Sequence, residues 1–214
     1  MSDILLAAIV FSAVAVLILL FTVLVRRFVG DDQIERFEMG EAAARDYGRR
    51  GEAAALRLVR GVLREDDALF SNIAVEFEGQ RTELDCVVAN RFGVFIIEVK
   101  NYSGQLVGGE NDRFWRKYHT SRGGNVYEKS IRNPIGQVKR QNWILANALR
   151  RRGASVWVEG YVLLLRQMIS TKNPRLLHSA ADIECAIHPY GKSPLPAAKV
   201  NAVRAALRAL CGKT

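Results

Sequence analysis

Two acids and a lysine are spaced in this sequence so that one β-hairpin would bring them together. The stretch GVFIIEVKNYSG (residues 93–104) reads as a strand apolar on both faces from Val94 to Ile97, ending in Glu98 and Lys100 before a turn-forming segment. ELDCVVA (residues 83–89) reads as the strand before it, joined through Asn90-Arg91-Phe92. A two-residue turn at Arg91-Phe92 pairs Asn90 with Gly93 and sets Asp85 directly opposite Glu98, with Cβ atoms about 4.5–5.5 Å apart. Lys100, two residues beyond Glu98, points to the same side. Opposed carboxylates repel, so the arrangement makes physical sense with a divalent cation between them. Oxygen ligands without a nearby His or Cys favour Mg²⁺ or Mn²⁺ over zinc. The competing reading is a solvated stripe of Glu83, Asp85, Glu98 and Lys100 at the sheet's end, which sits poorly with acids emerging from a strand covered on both faces.

The elements that must carry these residues follow from periodicity. Gly40 to Arg64 reads as a helix with apolar positions at Ala44, Tyr47, Ala54, Leu58 and Val62. Strands are expected at Ser71 to Gly79, Glu83 to Ala89 and Gly93 to Lys100, then two short aromatic-bearing strands within Asn111 to Lys129 around Gly123-Gly124. Asn133-Pro134 starts a helix running to about Arg152 and ended by Gly153. Ser155 to Leu165 and DIECAIHP (residues 182–189) read as strands, and Ala197 to Leu210 as a closing amphipathic helix. The fold class is therefore α/β, a mixed sheet with an αβββαβ core and helices packed against it.

Composition adds a partner and a place. The 214 residues carry 31 Lys+Arg against 22 Asp+Glu, a net charge of +9 that biases the chain toward a polyanionic partner such as nucleic acid or an anionic lipid surface. Cys86, Cys185 and Cys211 are scattered, which indicates neither a disulfide framework nor a zinc site and suits a reducing compartment. His119, His178 and His188 show no metal-binding spacing and read as surface or loop residues. Ile4 to Val25 is uncharged, and at ~1.5 Å per residue it crosses a hydrocarbon core of about 30 Å, so an N-terminal transmembrane helix is expected. A cleaved signal peptide fits less well, because no Lys or Arg precedes the run and no A-x-A-like site follows it. Asp3 on one side and Arg26-Arg27 on the other orient the amino terminus outside a cell membrane and the remainder in the cytosol. The expected division is residues 1–27 as anchor, 28–47 as juxtamembrane linker and helix start, 48–165 as the main domain, and 166–214 as a strand and helix completing it.

Four ordered blocks, GRRGEAAALRLV (residues 48–59), TELDCVVANRFGVFIIEVKNYSGQLVGG (82–109), FW (114–115) and NPIGQVKRQNWILANAL (133–149), resemble the nuclease-related domain, NERD, a branch of the PD-(D/E)xK phosphodiesterase superfamily. The resemblance implies a restriction-endonuclease-like core, with Asp85 and Glu98 as acidic metal ligands, Lys100 as the lysine of the E-x-K motif, and the Val99 carbonyl as a further ligand. It also implies that Glu52 joins from the first helix and Gln137 from the later one. Their plainer readings are a helix-surface acid near Arg49 and Arg50, and a first-turn polar residue after Pro134. Leu84 stands where the motif opens on proline, a departure that removes no ligand. The implied activity is Mg²⁺- or Mn²⁺-dependent hydrolysis of phosphodiester bonds in nucleic acid, DNA ahead of RNA. The rival classes are a catalytically silent nucleic-acid-binding module and an interaction scaffold at the membrane. Basic residues interleaved with aromatics supply candidate phosphate contacts, chiefly Arg116, Lys117, Lys139 and Arg140. A helix exposes charge in any case, and Trp115 or Trp143 is equally readable as core.

Overall fold

The computed structural model describes residues 14, 40, 43, 45–102, 104–120, 125–166, 169 and 172–212. The chain forms two compact units, Met1–Tyr47 and Gly48–Thr214. The run expected to span a membrane, Ile4 to Val25, lies outside the described residues apart from Val14. Among the described residues, no helix is long and apolar enough to cross a membrane.

The second unit opens with a helix, α1, covering residues 48–62. A five-stranded sheet follows, built from β1 (Ala68–Phe77), β2 (Gln80–Asn90), β3 (Gly93–Lys100), β7 (Val158–Leu164) and β8 (Leu176–Leu177) in that spatial order. The β1–β2 and β2–β3 pairs are antiparallel, while β3–β7 and β7–β8 are parallel, as a crossover through helix α2 (Pro134–Arg150) requires. β3 is the central strand, and Gly93 to Val99 are all buried because helices cover both faces. On one face, Ile144, Leu145, Ala148 and Leu149 of α2 and Val203, Ala206, Leu207 and Leu210 of α4 (Ala197–Cys211) pack on Val87, Ala89, Val94 and Ile96. On the other, Ala55 and Val59 of α1 pack with Cys86, Val88, Phe95 and Ile97.

The segment Asp182 to Pro189 corrects the sequence reading. It is not a strand but mostly helix, α3 (Ala180–Ile187), whose apolar residues Ile183, Ala186 and Ile187 recur at helical spacing and join the α1 face. The Ser179 hydroxyl accepts from the Asp182 N–H at 3.1 Å, and the Asp182 carboxylate accepts from the Ser179 N–H at 3.0 Å, a reciprocal capping box. Replacing Ser179 by Ala is expected to cost about 1 kcal/mol, read as a lower urea midpoint at unchanged slope. His188, read as a surface or loop residue, lies just past the helix with its side chain buried. It caps α3, and its Nε2 lies 2.9 Å from Asp67, with only 2% of its side chain exposed.

A second, three-stranded antiparallel sheet contains β4 (Gln105–Val107), β5 (Phe114–Thr120) and β6 (Val126–Arg132). Leu106 and Trp115 from this sheet, Ile135 and Val138 from α2, and Val162, Leu164 and Leu176 form a third apolar cluster. The Trp115 indole donates to the Gly109 carbonyl at 2.8 Å. Asn133 caps α2 by accepting from the Ile135 N–H, and its amide donates to the carbonyls of Gly109, Glu110 and Asp112. One buried asparagine thus couples the start of α2 to the entry of the second sheet.

Candidate active site

The β2–β3 hairpin turns at Arg91-Phe92, with Asn90 opposite Gly93 and Ala89 opposite Val94, as its sequence predicts. The ladder ends at Cys86 and Ile97, so Asp85 and Glu98 are next in register but unpaired through their backbones. In place of a ladder bond, the Asp85 carboxylate accepts from the Val99 N–H at 2.7 Å. On the other flank of β2, the ladder to β1 steps from Ser71/Cys86 to Ile73/Leu84, passing over Asn72 and Asp85. Asn72 has φ of 52°, a left-handed conformation that Asn tolerates better than most residues. Val87 and Leu84, three residues apart, both enter the α2/α4 core, so strict alternation breaks between them, at the acid.

Glu98 is 4% exposed and ringed by donors. Its Oε1 accepts from the Lys100 ammonium and from the Gln137 amide, each at 2.6 Å, and its Oε2 accepts from the Gln141 amide at 2.7 Å. Gln137 and Gln141 are one helical turn apart on α2 and face the sheet together. Gln141 is absent from the site residues that the sequence suggests, although its i+4 spacing from Gln137 puts it on the same helix face. Its amide also donates to the Glu83 carbonyl, leaving a buried Oε1 with no hydrogen-bond partner.

Electrostatics sharpen the picture. Burial, then the adjacent Glu98 charge, pushes the Asp85 carboxyl up to about 6 against the opposing pull of the Val99 N–H and Lys100. Burial alone would lower the Lys100 pKa, but Glu98, Tyr102 and Asp85 outweigh it and raise the ammonium above its ordinary value. Glu52 lies on α1, which covers the face opposite α2. A Cβ on Gly51 would stand 2.6 Å from that of Asn101, so α1 meets the chain immediately after β3. The Glu52 charge reaches Asp85 and helps raise its pKa, yet among the described residues no hydrogen bond joins Glu52 to Asp85 or Glu98.

The sign of the Asp85 shift gives a test that needs no activity. A folded-state pKa above the ordinary 3.8 means that protonated Asp85 favours the fold, an advantage complete below pH about 4 and lost as pH rises through about 6. Asp85→Asn mimics the protonated form. Without divalent cation the variant is expected to be more stable than its parent by about 1–2 kcal/mol at pH 8, allowing for partial exposure, with no difference near pH 3. Thermal melts in EDTA at both pH values check this, and a less stable variant at pH 8 contradicts the assigned geometry. Adding Mg²⁺ should close the gap by stabilising the parent alone.

No cluster of three or more His, Cys, Asp and Glu side chains able to hold a metal ion occurs among the described residues. The groups at this end of the hairpin that could ligate a cation are all oxygens. The Lys100 carbonyl accepts from Leu165 on the β7 side, so the alternation of strand backbone groups turns the Val99 carbonyl toward the β2 side, where Asp85 sits. Two carboxylates, held together against their own repulsion, and a main-chain carbonyl fit a hard cation that keeps several of its waters, which is the habit of Mg²⁺.

The four candidate phosphate contacts are dispersed. Arg116 and Lys117 are adjacent on β5 and so point to opposite faces of the second sheet. Lys139 is paired with Glu110 at 2.7 Å, and Arg140 donates to the Gln80 side chain at 3.2 Å. Trp115 is core, whereas Trp143 is exposed and packs edge-on against Phe77.

A family model described as the nuclease-related domain, NERD, matches residues 47–165, more than half of the chain. An uncharacterized protein of Bacillus anthracis is 28% identical over 109 residues, 48% of each chain. The chain therefore spans about half the length of the curated relative it matches. No solved structure matches the chain.

Proposed function

Because this chain belongs to the nuclease-related domain family, we propose that it is a membrane-anchored, metal-dependent nuclease hydrolysing phosphodiester bonds, with DNA as substrate ahead of RNA. The observation that carries the reading is the buried Glu98 carboxylate, held by Lys100, Gln137 and Gln141 beside Asp85. Asp85, Glu98 and the Val99 carbonyl would hold Mg²⁺ or Mn²⁺, which supplies Lewis-acid polarisation of a phosphodiester oxygen and acidifies water. The chain's own residues do the rest. Gln137 and Gln141 fix the Glu98 carboxylate from α2, so its orientation is set before substrate arrives. Lys100 offers a permanently charged donor beside the acids, suited to charge developing on phosphorus. Glu52, from the other face, adds negative charge near Asp85 and strengthens its demand for a cation.

The membrane anchor rests on the uncharged run Ile4 to Val25 with Arg26-Arg27 after it, and the cytosolic placement on the positive-inside rule. The preference for nucleic acid rests on the family and on the net charge of +9. A second reading, a catalytically silent nucleic-acid tether, draws on the engagement of both Glu98 oxygens by protein donors.

The deciding experiment uses the full chain in mild detergent with single- and double-stranded DNA and RNA, in Mg²⁺, Mn²⁺ or EDTA. Cleavage abolished by EDTA supports the nuclease. A gel shift without cleavage in any metal overturns it in favour of the tether, and neither activity points to a scaffold. Carbonate extraction should leave the chain in the membrane fraction, and a reporter fused after Thr214 that works only outside the cytosol would reverse the topology.

A further inference from the structure

The β5–β6 register sets Lys117 directly opposite Lys129. Residues so paired share one face of the sheet with Cβ atoms about 4.5–5.5 Å apart, and like charges in that position destabilise the hairpin. Alternation gives the rest of the face: Trp115 and Ile131 on one side of the lysines, His119 and Tyr127 on the other. Among the described residues no carboxylate forms an ion pair with either lysine; Glu128 falls on the opposite face, opposite Tyr118, and Glu110 is held by Lys139.

The face changes character along its length. Trp115 is fully buried in the third apolar cluster, with Ile131 packed against it. Lys117 is half-buried and Lys129 exposed, and beyond them Tyr127 is 58% exposed with His119 open beside it. One end of the hairpin is rooted in the domain, and toward the other, an arm flanked by β4 as far as the Gln105–Tyr118 pair, the side chains are open to solvent. The root adjoins the candidate active site, because the Lys117 ammonium lies 5.7 Å from the centre of the Tyr102 ring, and Tyr102 is within electrostatic reach of Lys100 and Glu98.

We propose that this face of the β5–β6 arm is the track for a single-stranded nucleic-acid segment leaving the active site. Lys117 and Lys129 together grip one phosphate next to the reacting one, and Tyr127 with His119 offers rings for a base beyond it. This rests on the nuclease reading of the Glu98 site. A phosphate between the two ammonium groups removes the repulsion that the hairpin otherwise tolerates, and a lysine pair followed by aromatic rings is the combination by which proteins hold single strands. Successive residue pairs on this face are about 7 Å apart, room for one extended nucleotide. The outer face is turned away from Trp115 and the site, so Arg132, which lies on it, serves as the control.

The test measures binding of a fluorescein-labelled oligodeoxythymidylate to the full chain in EDTA across a salt series. Lys117→Gln/Lys129→Gln is expected to flatten the slope of log affinity against log salt by about 0.7, one single-strand phosphate contact's worth, with the melting temperature unchanged or raised. Arg132→Gln should leave the slope as in the parent. An unchanged slope in the lysine variant, an equal loss in the arginine variant, or binding confined to duplex each overturns the track while leaving metal-dependent cleavage, assayed in parallel, untouched. A parent chain that neither binds nor cleaves nucleic acid removes both the track and the nuclease reading.

Discussion

Replacing Lys100 by Gln is expected to lower the single-turnover cleavage rate at saturating Mg²⁺ by about 10²–10³, the usual cost of losing one donor aimed at transition-state charge. The fold should survive, because Glu98 keeps the amide donors of Gln137 and Gln141 and gains a neutral donor in place of the ammonium. Affinity for uncleaved nucleic acid should fall far less than the rate, since a single phosphate contact is a small part of binding. A rate within a few-fold of the parent would remove Lys100 from the chemistry and leave it as a structural counter-ion to Glu98.

Glu98→Ala should abolish cleavage and also weaken the fold, by about 3–5 kcal/mol, because it strands a mostly buried ammonium, takes the acceptor from the Gln137 amide and leaves the Gln141 amide only the Glu83 carbonyl. Glu98→Gln removes the charge but retains an acceptor and the volume. Its cost should be smaller, about 1–3 kcal/mol, with cleavage equally lost. Urea midpoints separate the two variants. Adding Lys100→Met to Glu98→Ala should recover part of the lost stability, because no unpaired charge then remains inside, and that recovery measures the coupling directly. Equal and small losses in all three would mean that water, not Glu98, satisfies the lysine.

The helix Ala180–Ile187 shows where sequence pattern was ambiguous and how the ambiguity resolved. Its short apolar run suits a buried strand or a helix equally well by hydropathy. What decides is the Ser179/Asp182 cap together with the vacancy for Ile183, Ala186 and Ile187 beside α1. The two-residue strand Leu176–Leu177 is likewise a product of context. It extends the sheet by pairing parallel to β7, and nothing in its own composition demands that. Gln141 was visible as a helical neighbour of Gln137, but its importance depends on Glu98, more than forty residues away in sequence, lying beneath the same turn of α2.

Residues acting on near neighbours were enough to determine the central strand, the Arg91-Phe92 turn, the start of α2 at Asn133-Pro134, and hence the closeness of Asp85, Glu98 and Lys100. Turn chemistry, capping and a period-two hydrophobic pattern all operate within a few residues, so they are legible in one dimension. Tertiary structure alone decided that Asp85 takes the Val99 N–H, that α2 brings two glutamines onto Glu98, and that α1 carries Glu52 to the opposite face. Each of these depends on which face of a sheet meets which helix. That choice is settled by burying apolar surface across the whole domain, a sum that no local stretch contains.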